Sequence, residues 1–311
     1  MPPSETGTII ITGANGSCAL SFVSHLITDY PNLTLLATVR NASPSDPNTA
    51  RLAEIISTSS RASIESLDLS SLSKVRTFAD KTAQRVEKGE IPPIKAIVCN
   101  AFTMSLKEQV YTEDGFERTF QVNHLSHYLL VLKLVSSMSQ DGRIVMLGSN
   151  THYTDRPHPL FSMRVGIPED IETLVKPKKD TVGKDYDHGF HRYGNPKLSG
   201  ITATAMDPGG VVDSRAHKIQ KPIIRFAFSL IVLLLPITKY FTDELRSSAQ
   251  SGRELVELAV GDKYQGEKGY FMGARREKED AICMDAEKRD VLWKACWEWA
   301  GIKKKETALE Q

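Results

Sequence analysis

Apolar runs of strand length alternate along this chain with amphipathic stretches of helical period, and that alternation constrains the fold more than any other feature. Residues 8–11, 33–39, 63–67, 96–99, 143–147, 201–206 and 268–272 read as strands. Residues 20–28, 72–88, 115–138 and 248–260, between most of them, carry apolar side chains three and four apart. A strand followed by a helix of this length pairs in parallel with the next strand through a right-handed crossover, so helices cover both faces of the sheet. The expectation is an α/β chain with a mostly parallel, doubly wound sheet. No internal repeat and no long Pro/Ser linker divides its 311 residues, so a single domain is expected.

Charge narrows the partners. Lys and Arg number 39 against 38 Asp and Glu, a formal net charge of +1, which leaves no global field to recruit nucleic acid. Cys18, Cys99, Cys283 and Cys296 lie far apart with no C-x-x-C pair, against a disulfide framework or zinc ribbon. His188 and His191 have ligand-like spacing, but no carboxylate or Cys completes a metal shell around them or around His152 and His158. The amino end carries neither a basic n-region nor a small-residue cleavage site, so a reducing, cytoplasmic setting is the default. The longest apolar stretch, residues 226–237, is twelve residues long, whereas a spanning helix needs about 20. Three readings stay open for it: a buried helix, an apolar lid over a pocket, and weak contact with a membrane surface.

Two motifs carry chemistry. Thr12-Gly13-Ala14-Asn15-Gly16-Ser17 follows the first strand and leads into a helix. A turn of this kind lets backbone N–H groups approach a phosphate, and the helix N-terminus favours the negative charge. Further on, Tyr193 and Lys197 stand four apart, a spacing that puts both on one helix face. A nearby ammonium favours the phenolate, as a tyrosine with a usual pKa of about 10 needs if it is to exchange a proton near neutrality.

In chain order these motifs resemble the short-chain dehydrogenase/reductase family, and within it the retinol-dehydrogenase-like members. Those share the run Asn123-His124-Leu125-Ser126-His127 and a long segment between Ser149 and Tyr193. The family's first loop reads TGxxxGxG. Thr12 and Gly13 match it, Ser17 and Ala19 replace the second and third glycines, and Gly16 is displaced. The resemblance implies a Rossmann-like sheet and a cofactor site built from Gly13, Asn15, Gly16, Ser17, Arg40, Asp68, Asn100, Tyr193, Lys197 and Val211. Arg40 ends the second strand, where an NAD-preferring site would carry an acidic side chain; a guanidinium there implies NADP(H). Asp68 would meet the adenine. Asn100 and Ala101 match part of the NNAG element, with Cys99 and Phe102 departing from it.

Its catalytic set would be Asn123, Ser149, Tyr193 and Lys197: Tyr193 as proton donor and acceptor, Lys197 lowering its pKa, Ser149 polarising the carbonyl, Asn123 holding a relay water. The implied reaction interconverts a carbonyl and an alcohol on a lipophilic small molecule. The family domain would span residues 1–300, with a substrate loop at about 211–247 and a flexible tail at 301–311.

One departure is large. In the family the helix bearing Tyr and Lys continues for several turns, whereas here only Leu198, Ser199 and Gly200 separate Lys197 from Ile201. Gly183, Gly189, Gly194 and Pro196 oppose a long helix before it. Either the Tyr–Lys pair is displaced, or the sixth strand is shortened or shifted. The alternative function is therefore a nucleotide-binding but catalytically impaired form. Because that helix is half of the family's usual dimer interface, a homodimer is also in doubt.

Overall fold

In the computed structural model, residues 6–156, 163–198, 204–220, 222–238, 242 and 244–309 are described. The first half alternates as expected: β1 (Thr8–Thr12), α1 (Ser17–Asp29), β2 (Thr34–Val39), α2 (Pro47–Ile56), β3 (Ala62–Ser66), α3 (Leu72–Glu87) and β4 (Ile94–Cys99). Where one helix is expected over 115–138, α4 (Arg118–Phe120) runs through a π-helical turn at Gln121–Leu125 into α5 (Ser126–Leu134). Then come β5 (Met138–Leu147), α6 (Asp185–Leu198), β6 (Thr204–Asp207), β7 (Gly210–Val211), α7 (Pro222–Thr238), β8 (Leu245–Arg246), α8 (Ser248–Val260), β9 (Gly269–Met272), β10 (Arg275–Glu277), α9 (Ala281–Met284) and α10 (Ala286–Trp299).

Eight strands form one sheet in the order β10-β9-β6-β5-β4-β1-β2-β3, parallel except for the β9–β10 pair, and β7 pairs with β8 apart from it. Alternation within each strand divides the core in two. Ile10, Leu36, Ile97 and Cys99 face a cluster with Phe120, Tyr128 and Leu129 from α4 and α5. Ile9, Ile11, Leu35, Ala37 and Val98 face the opposite cluster with Phe22 and Leu26 of α1 and Leu255 and Leu258 of α8. Ile9, Ile10 and Ile11 are wholly buried, each contributing about 1.5–3 kcal/mol.

Helix α6 runs against the expectation that Gly183, Gly189, Gly194 and Pro196 oppose a long helix before Lys197. It spans 14 residues. Its glycines are contact points: a Cβ at Gly189 would run into the carbonyl oxygen of Ser105, and one at Gly194 into Val165. Pro196 falls in the last turn. The side chain of Arg192 on α6 is 6% exposed, hydrogen-bonds to Asp180 and lies 3.7 Å from Glu117, which in turn caps α4 by accepting from Phe120 N–H.

Of the sixth strand read at 201–206, residues 204–206 fall in β6, which runs on to Asp207. Pairing with β5 begins at Thr204 opposite Val145; residues 201–203, and the connection after Leu198, lie outside the described residues. Lys197 Nζ donates to the carbonyl oxygen of Leu147 at 2.6 Å, and Val145 is two residues, about 7 Å, back along the same strand. A short connection therefore suffices, because β6 enters beside the end of β5 where Lys197 already sits. The tail expected to be free is tied down through Glu306, which pairs with Arg76 at 2.6 Å and Lys133 at 3.2 Å.

Candidate active site

β1 is flanked by β2 and β4, so the connections leave these neighbours in opposite directions and open a crevice at their carboxyl ends. A cavity of about 720 Å³ occupies it. Gly13, Asn15, Gly16 and Ser17 line its middle, Arg40 and Asp68 one end, and Asn100, Ser149, Tyr193 and Val211 the other. Of the expected site residues, only Asn123 and Lys197 are off its wall.

The glycine turn is braced from below. Gly13 has φ +63°, and a Cβ there would come within 3.0 Å of Ala101 Cα, so only glycine suits the position. Asn100 Nδ2 donates to the carbonyl oxygens of Thr12 (2.8 Å) and Gly13 (3.2 Å). Thr12 Oγ1 accepts from the Ala101 N–H at 2.9 Å and lies 2.8 Å from His127 Nε2. Arg40 is exposed at the rim beside Asn41, Asp46 and Asn48. Asp68 is held by the Ser70 hydroxyl at 2.6 Å and Lys74 Nζ at 3.1 Å.

At the other end Tyr193 is half-buried, edge-to-face with Phe102 at 5.8 Å between ring centroids. Burial pushes the Tyr193 hydroxyl up, the negative charge of Asp207 pushes it the same way, and a hydrogen bond from the Ser149 hydroxyl opposes them. Lys197, read as lowering this pKa, donates its ammonium to the Leu147 carbonyl oxygen and stands 5.6 Å from the Tyr193 ring centroid. Burial brings Lys197 itself down to about 8 against the pull of Asp207. Asn123 lies in the π-helical turn with its amide locked to Thr103, accepting from its N–H at 2.7 Å and donating to its carbonyl oxygen at 3.0 Å.

Sequence reasoning missed four residues here. Asp207 is 2% exposed, accepts from Gly209 N–H at 2.7 Å and Tyr270 Oη at 3.1 Å, and sits close enough to Tyr193 and Lys197 to influence both. Its signal was a carboxylate directly before a Pro-Gly turn. Arg215 reaches across to the glycine turn, its guanidinium donating to the Asn15 carbonyl oxygen and its backbone N–H to Ser17 Oγ at 3.1 Å. Ser214 and His217 line the cavity from the same segment, and nothing in their spacing marks them.

The fold is that of the short-chain dehydrogenases. The short chain dehydrogenase model matches residues 7–160, and an AcuH dehydrogenase domain model matches residues 215–309. The short-chain dehydrogenase iccH of Talaromyces variabilis is 30% identical, covering 98% of this chain and 99% of that protein. The alignment runs over 368 positions, more than this chain has residues, so many residues of that relative face gaps. The WW domain-containing oxidoreductase of Drosophila melanogaster is 34% identical over 92% of this chain and 66% of its own length. Among solved structures, the angucycline C-6 ketoreductase LanV with bound NADP superposes with a TM-score of 0.57 at 18% identity, covering 87% of this chain and 96% of LanV. An NADPH-bound carbonyl reductase from chicken fatty liver gives 0.55 at 14% identity, covering 88% and 100%. The chain belongs to the short-chain dehydrogenase family, and its activity is of the oxidoreductase kind.

Proposed function

We propose that the cavity binds NADP(H) and that the chain interconverts a carbonyl and an alcohol on a small lipophilic molecule. One observation carries this reading: a single cavity brings together Gly13, Asn15, Gly16, Ser17, Arg40, Asp68 and Val211 with Ser149 and Tyr193. The residues fit a dinucleotide. Gly13 lets the turn take its positive φ and pack on Ala101, the N-terminus of α1 faces the cavity, and the Arg40 guanidinium suits a phosphorylated ribose. NADP-bound LanV and the NADPH-bound carbonyl reductase share the fold and support the same choice.

Bound there, the nicotinamide would supply or accept the hydride. Ser149 would donate a hydrogen bond to the substrate oxygen. Tyr193, whose pKa burial and Asp207 raise, would give its proton to the developing alkoxide in reduction. Lys197 would fix the end of α6 against β5 and carry positive charge beneath the site. Phe102, Met104, Phe190 and Phe228 give the cavity an apolar side for a lipophilic substrate.

Fluorescence titration is expected to give NADPH binding at least about tenfold tighter than NADH, with Arg40→Ala removing most of the difference. No NADPH binding would overturn the proposal. The competing reading, a nucleotide binder without turnover, draws on the committed Lys197 and the raised Tyr193 pKa. Turnover on a panel of lipophilic ketones, lost in Tyr193→Phe with NADPH binding intact, eliminates it.

A further inference from the structure

Helix α7 has two apolar faces, and the protein covers neither fully. Ile224, Phe228, Ile231 and Leu235 form the less exposed stripe, and Phe228 stacks on His217 with ring centroids 3.7 Å apart and reaches the cavity wall. Around the helix from them, Ile223, Phe226, Leu230, Leu233 and Ile237 recur at three and four and are 76, 65, 46, 75 and 58% exposed. A surface helix of a soluble domain puts charged side chains on that face. Between Pro222 and Thr238, α7 has only Arg225 and Ser229 as polar side chains.

Charge selects what covers this face. Residues 214–242 contain no Asp or Glu, yet carry Lys218, Lys221, Arg225 and Lys239 besides the Arg215 that clasps Asn15, in a chain whose formal net charge is +1. A second copy laid on α7 would set this cationic segment against itself. An anionic lipid surface answers both properties: the apolar stripe enters the boundary of the acyl chains and the flanking cations meet the headgroups.

We propose that α7 lies in the plane of an anionic membrane surface and seats the molecule there, with the Phe228 side of the cavity next to the lipid. At 17 residues the helix is about 25 Å long, short of the roughly 30 Å hydrocarbon core, and among the described residues no helix is long and apolar enough to cross a membrane. The inference concerns the surface and does not depend on the cavity's chemistry.

The test floats the full-length protein with vesicles of phosphatidylcholine alone or mixed with phosphatidylserine, without cofactor or substrate. Wild type is expected to float with the mixed vesicles, on the order of tenfold more than with the neutral ones. The Leu230→Glu/Leu233→Glu variant should stay unbound while its thermal melt matches wild type. Arg225→Glu keeps the apolar stripe and should bind the mixed vesicles more weakly, so the test stands even if the double variant misfolds. Wild type that floats with neither vesicle, or Arg225→Glu that floats as well as wild type, overturns the proposal. So does a wild-type dimer by light scattering that becomes monomeric in the double variant while neither floats, since a second copy would then cover the face.

Discussion

Asp207 adds to burial in making Tyr193 a weaker acid. The carboxyl is pushed up by burial and held by the Gly209 N–H and the Tyr270 hydroxyl, and the groups facing it are Tyr193 and Lys197 of α6, Tyr270 of β9, and His152. Burial lowers His152 and raises Tyr270, and the charge of Asp207 acts on both as well as on Tyr193 and Lys197. Removing it in Asp207→Asn takes away one of the two influences that raise Tyr193. The alkaline limb of the pH–rate profile for reduction should then move to lower pH, while Asp207→Glu should keep it near its original position. An unmoved limb in the Asn variant would show that Asp207 does not set the acidity of Tyr193. Order and spacing singled out Tyr193 and Ser149, which the fold brings to one cavity, and Lys197, which lies off its wall. They did not single out Asp207, since one carboxylate acquires meaning only when folding encloses it.

At the scale of elements, α6 presents Tyr193 to the cavity, and a buried cluster keeps α6 in place. Glu117, raised by burial, has Arg192 as its nearby cation, and Arg192 also bonds Asp180. Arg192→Ala would strand two carboxylates in a nearly dry site, at a cost of about 3–5 kcal/mol. Thermal unfolding should shift down by several degrees and activity should fall with it. Arg192→Lys should recover only part of both, since an ammonium cannot serve two partners with a planar fork. Helix α6 was misread because glycine and proline were weighed by propensity alone. Gly189 and Gly194 are required by what the helix packs against, information that lies in distant segments. β1 to β4 were legible because strand alternation divides cleanly between the two faces of the sheet.

For the whole molecule, closure depends on the last residues returning to α3 and α5. Burial would raise the Glu306 carboxyl, but the Lys303 N–H, Lys133 and Arg76 overcome it and hold the group at about 2. A carboxyl whose folded pKa is depressed adds stability that is complete above its unfolded value of about 4.3 and is lost as the pH falls toward 2. Glu306→Gln is therefore expected to lower stability by about 1–2 kcal/mol at neutral pH. Melting curves of the two proteins should converge as the pH is lowered from 5. The tail looked free because three consecutive lysines read as a solvated end, and only the fold places Glu306 beside Arg76 and Lys133.

Arg215 spans two hundred positions to clasp Asn15 and Ser17. The stretches recognised separately at 7–160 and 215–309 are thereby stitched across the crevice, and the glycine turn borrows its outer wall from the carboxyl half. A fragment ending after β5 would own every residue of that turn and still lack the strap that braces it, so the shape of this wall is a property of the joined halves.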